Sequence, residues 1–125
     1  MTTPTRILVA DALAEAGVEI LRTEAQVTVE TGMSPQRLIE TIPEYDALVV
    51  RSATRVSREV LEAGRRLRAV ARAGVGVDNI DVDACSRQGV VVVNAPYGNV
   101  VSAAEHTVGM LLALVRKIAV ANDAL

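Results

Sequence analysis

Apolar residues along this chain follow two alternating rhythms. Unbroken or nearly unbroken runs at Arg6 to Ala10, Ala47 to Val50, Arg68 to Ala73 and Val90 to Val93 predict short buried strands. Val27 and Val29, alternating with Thr28 and Glu30, predict one more. Between the strands, apolar positions recur three and four apart. Leu13, Ala16, Ile20 and Leu21 predict a helix over residues 12–22 with Asp11 as its cap, and Ser34-Pro35 starts a helix that places Leu38, Ile39 and Ile42 on one face. Shorter helices are predicted between Ser57 and Gly64 and between Asp81 and Gly89. The four consecutive valines at 90–93 are the strongest strand signal and suit a position inside a sheet.

Strand and helix thus alternate five times with short connections. Right-handed crossovers then require a parallel sheet with helices on both faces. The expected fold class is α/β: a flavodoxin-like three-layer αβα arrangement with a five-stranded parallel sheet in the order 2-1-3-4-5, plus a long C-terminal helix. The loop from Asn94 to Asn99, holding Pro96 and Gly98, divides residues 1–98 from a hinge and helix at 99–125. That helix, predicted over 101–121, carries only Glu105, Arg116 and Lys117 as charges, and Val108 to Val115 has no polar face. A helix apolar all round is expected to be buried all round, so it calls for a second copy, giving a homodimer, or for a further domain.

Composition narrows the class. A length of 125 residues allows one domain or a piece of something larger, and a core with 21 Val, 19 Ala and no Phe or Trp suits a parallel sheet covered by Ala-rich helices. Disorder, collagen and a disulfide scaffold are excluded. A lone cysteine, Cys85, and no leader of signal-peptide type point to the cytoplasm. The run at 108–115 is far below the roughly 20 residues that span a bilayer. A net charge of −2 offers no case for nucleic acid or a membrane surface. The charges are segregated, however: residues 51–72 hold seven Arg against Glu59 and Glu62. Most of these arginines suit a solvated helix, but Arg51 and Arg72 fall at strand ends.

In an open parallel sheet, ligands bind beyond the carboxyl ends of the strands. Those ends are Asp11, Arg51-Ser52, Arg72 to Gly76 and the 94–99 loop. Two guanidinium forks beside a turn of backbone amides are matched to a small molecule with anionic ends. The turn Gly74-Val75-Gly76-Val77-Asp78-Asn79 is an incomplete dinucleotide fingerprint, with Asn79 at the third glycine position, so NAD is not expected to bind there. A phosphorylated receiver domain fails too, because the third strand ends in Arg51 where that chemistry needs an aspartate. His106 and Cys85 lack partners and read as structural.

Four blocks carry a resemblance: Val50-Arg51-Ser52-Ala53-Thr54, Arg72 through Asp81, Val93-Asn94-Ala95-Pro96, and Gly98-Asn99 followed by Ser102 to His106. Together they resemble the NAD-dependent D-2-hydroxyacid dehydrogenases, in particular the branch that oxidises 3-phosphoglycerate for serine synthesis. The resemblance implies that Arg51 reaches the substrate phosphate end. Arg72 begins the glycine turn, and the amides of Ala73, Gly74, Val75 and Gly76 hold the substrate carboxylate. Ser52 belongs to the first block, Asn99 matches the hinge asparagine near the cleft, and Val75 matches a position beside the nicotinamide, often Thr in relatives. It also implies that the GxGxxG turn and the catalytic arginine, glutamate and histidine belong beyond Leu125. The chain is then expected to be a truncated substrate-binding half, with no catalytic residue or metal ligand of its own and NAD bound only by the whole enzyme.

Overall fold

A computed structural model describes residues 4–123 of the chain. It divides into two compact units, residues 1–95 and 96–125. The first contains β1 (Arg6–Val9), α1 (Glu15–Arg22), β2 (Gln26–Val29), α2 (Pro35–Thr41), β3 (Ala47–Val50), α3 (Arg58–Ala63), β4 (Ala69–Arg72), α4 (Val82–Gln88) and β5 (Val91–Asn94). A 3₁₀ turn at Ile42–Glu44 leads from α2 into β3. All four strand pairings are parallel, and the order is β2-β1-β3-β4-β5. The expected α/β architecture is therefore present.

Register explains where the core sits. Leu8, Leu48 and Val70 pair across three strands and are fully buried, joined by Leu38 of α2, Val60 and Leu61 of α3, and Ala84 and Cys85 of α4. The next row belongs to the opposite face, because side chains alternate along a strand. There Val9 and Val49 are buried, but Val29 is 45% and Val93 49% exposed. Helix α1 has one buried residue, Val18, and packs against the edge strand β2.

Several local expectations are corrected. Strand β5 is an edge strand, not an interior one, and Val91 is 59% exposed; four valines satisfy strand propensity without dictating a central position. Helix α1 begins at Glu15 with Ala14 at its cap position, because the Asp11 carboxylate is engaged elsewhere. Ser57 holds the cap position of α3 but its side chain makes no cap hydrogen bond. By contrast, the Ser34 hydroxyl accepts from the Arg37 amide, the Asp81 carboxylate accepts from the Ala84 amide, and Gly89 takes a left-handed φ of 71° that closes α4.

The second unit contains α5 (Val100–Val115) and α6 (Ile118–Asp123), so the single helix expected over 101–121 is broken. The break lies at Lys117, whose φ of 49° is left-handed; the amides of Arg116 and Lys117 close back on the carbonyls of Leu112 and Leu114. No residue of α5 is buried, and Leu111, Leu114 and Val115 are all more than half exposed.

Candidate functional site

Two loops follow the carboxyl ends of the neighbouring strands β3 and β4, and both are fastened from below. Asp11, just past β1, is 6% exposed and accepts the amides of Arg51 at 2.6 Å and Thr54 at 3.1 Å, with the Thr54 hydroxyl at 2.7 Å. Burial pushes its carboxyl up, but these hydrogen bonds together outweigh burial and hold it below the usual range. From the other side, the Asn79 amide group donates to the carbonyls of Arg51 and Thr54, each at 2.6 Å. The backbone adds Val56 N–H to Asn79 O at 2.8 Å and Asp81 N–H to Val56 O at 2.9 Å. Residues 51–56 and 79–81 therefore form one stitched platform.

Arg51 and Ser52 stand exposed on that platform, with Arg51 Nη1 donating to the Ala12 carbonyl at 3.3 Å. Arg72 closes β4 opposite Val50 and Asn94. Its guanidinium is not free: Nη1 lies 2.5 Å from Asp78 Oδ1. The glycine turn folds around it, since a Cβ on Gly76 would stand 2.9 Å from Arg72 Nη1 and one on Gly74 would stand 3.6 Å from its Nε. Arg72 also holds the Asp78 carboxyl below its ordinary pKa.

The four amides expected to hold a carboxylate are not equivalent. The Ala73 amide donates to Val50 O and the Gly74 amide to Arg72 O, both at 2.9 Å. Those of Val75 and Gly76 have no partner among the described residues, and Asn94 Nδ2 fixes this stretch by donating to Val75 O at 2.6 Å. The available anion nest is thus narrower than the motif suggests.

Asn99 stands at the cap position of α5 in the second unit, exposed and without a side-chain cap bond. His106 is exposed on α5. Cys85 is buried, and burial pushes its thiol up, away from nucleophile chemistry. A cavity of about 370 Å³ adjoins the platform, lined by Arg55, Ser57, Arg58, Asp78, Asn79 and neighbours. Among the described residues no cluster of His, Cys, Asp or Glu could hold a metal ion, and no helix is long and apolar enough to cross a membrane.

Three contributors escape motif reading: Asp11 as a loop clamp, Asn79 as its counterpart and Asp78 as the partner of Arg72. The strand order supplies the missing signal for Asp11, because β1 lies beside β3 and sets its terminal carboxylate under the loop that follows Val50.

The turn lacks the third glycine of a dinucleotide fingerprint, with Asn79 standing there. The Arg72 guanidinium lies against the turn, and Asp78 adds a negative charge beside it. Two arginines and two unpartnered amides at neighbouring strand ends have the chemistry to meet a small anion, at the end of a parallel sheet where ligands commonly bind. The chain belongs to the D-isomer specific 2-hydroxyacid dehydrogenases, whose catalytic-domain profile it matches over residues 7–123. It is 51% identical over 120 residues to a D-3-phosphoglycerate dehydrogenase of Synechocystis, covering 96% of this chain and 22% of that protein. A D-3-phosphoglycerate dehydrogenase of Archaeoglobus fulgidus is 48% identical over 114 residues, again with 22% of its length covered. Among solved structures, an NAD⁺-bound 3-phosphoglycerate dehydrogenase of Entamoeba histolytica superposes with a TM-score of 0.78 at 30% identity, covering 89% of this chain and 39% of that one. The chain thus spans about a fifth of the length of these curated relatives.

Proposed function

We propose that this chain is the substrate-binding part of an NAD-dependent oxidoreductase that converts 3-phosphoglycerate to 3-phosphohydroxypyruvate. One observation carries the reading: the register sets Arg72 beside Val50, so Arg51 and Arg72 leave neighbouring strand ends together with the free amides of Val75 and Gly76. Such a set suits a ligand with a phosphate at one end and a carboxylate at the other. Arg51 takes the phosphate end, with Ser52 beside it. Arg72 and the turn from Ala73 to Gly76 hold the carboxylate end. Residues 1–98 form the binding domain, and 99–125 are the hinge and helix, with Asn99 at the hinge. NAD belongs to the whole enzyme, where Val75 stands near the nicotinamide; this chain alone binds the dianion and transfers no hydride. The expected setting is the cytoplasm. Calorimetry with millimolar 3-phosphoglycerate tests the reading: heat that Arg72→Ala removes supports it, whereas no heat, or NADH formation by this chain alone, overturns it.

A second reading concerns assembly, favoured by the exposed apolar helix α5. It makes the chain a homodimer through residues 101–121, a role compatible with ligand binding. Sedimentation that finds only monomer at high concentration overturns it.

A further inference from the structure

Arg72 already has a counter-ion, and the two partners sit in opposite environments. The arginine side chain is 11% exposed, whereas Asp78, six residues further on in the same turn, is 86% exposed. The pair engages Nη1 alone, and Arg72 Nε is buried without a hydrogen-bond partner, so Asp78 meets only part of what the guanidinium offers. An ion pair with one partner in water shifts an equilibrium by no more than about fivefold. A ligand that gives the fork a second acceptor and also takes the free amides of Val75 and Gly76 has more to gain than that.

We infer that Asp78 is the resting counter-ion of Arg72, a built-in carboxylate that an incoming anion must displace, and that it sets which anions the site accepts. The inference rests on the substrate-binding reading above. Because Asp78 is tethered, its effective concentration at Arg72 is of the order of millimolar or higher. A simple monocarboxylate offering the same single contact competes poorly with it, whereas a dianion that also uses the amides displaces it. The displaced side chain has cations to turn to: Asp78 lines the 370 Å³ cavity that holds Arg55 and Arg58, neither of which is in an ion pair among the described residues. Arg72 holds the carboxyl of Asp78 below its ordinary pKa.

Calorimetry on the 125-residue chain, titrated with 3-phosphoglycerate and separately with acetate, tests this with Asp78→Asn and Asp78→Ser. Both variants are expected to bind 3-phosphoglycerate about two- to fivefold more tightly and to gain at least as much for acetate. A damaged fold would not produce tightening, and circular dichroism confirms that each variant is folded. If both variants bind 3-phosphoglycerate as the parent does, or more weakly because Asp78 steadies Arg72, the inference is overturned while the substrate-binding reading stands. If neither parent nor variants take up 3-phosphoglycerate, both fall.

Discussion

The carboxylate of Asp11 accepts the backbone amide of Arg51, 40 residues further along the chain, at 2.6 Å. The bond joins the end of β1 to the loop after β3. Together with the contacts from Thr54 it makes a buried acid the anchor of an otherwise exposed loop. Asp11→Ala leaves the amides of Arg51 and Thr54 without their acceptor. The expected loss is about 3 kcal/mol, typical of hydrogen bonds to a buried charge, read from urea denaturation.

The same anchor carries a pH dependence. The folded pKa of Asp11 is depressed, so its contribution is complete above the unfolded carboxylate pKa of about 3.9 and is lost as pH falls through the folded value. Asp46, lowered by the Arg6 amide and by Arg66, acts in the same direction. Urea midpoints measured from pH 6 down to pH 2 should fall less steeply for Asp11→Ala than for the parent chain. Parallel curves would count against the anchor.

Gly76→Ala separates binding from stability. The added methyl meets the far ends of the Arg72 and Asp78 side chains at 2.9 Å, and these can swing aside at little cost to the fold. The guanidinium, however, leaves its place over the turn. Thermal melting is expected to change by less than about 1 kcal/mol of stability, while 3-phosphoglycerate affinity drops roughly tenfold or more in calorimetry.

Asn79 holds two carbonyls with one amide group. Asn79→Ala removes both bonds and is expected to cost about 2 kcal/mol in urea denaturation. Asn79→Asp is expected to be worse, because a carboxylate turned toward two carbonyls has nothing to donate.

Leu111 and Leu114 are 58% and 77% exposed on α5. Replacing both with Glu should abolish self-association in sedimentation while leaving the urea midpoint of the chain within about 0.5 kcal/mol of stability. A dimer that survives the double substitution would place the contact elsewhere.

Periodicity and punctuation made the fold legible from the residues. Ser34-Pro35, Asp81 and Gly89 do locally what their chemistry suggests, and the alternation of strand and helix leads to the observed strand order. The failures share a cause. Asp11 is a good helix cap by type, yet a partner 40 residues away claims its carboxylate; Val91 and Val93 are good strand formers, yet neighbours across the sheet decide how far they are buried. The break at Lys117 has no glycine to announce it. For the site, Arg51, Arg72 and the glycine turn were visible from strand ends and charge. The neutralisation of Arg72 by Asp78 depends on how the turn curls, which spacing alone does not specify.

The strand order also has a meaning for connectivity. Strands β1 and β2 are neighbours at one edge, and each later strand lies on the same side: β3 beside β1, β4 beside β3, β5 beside β4. No strand has to be inserted between two that are already paired. Such an order lets each unit dock on an open edge without breaking an existing pairing. The half-covered valines of β5 stand on the last edge so reached, where the chain leaves the sheet.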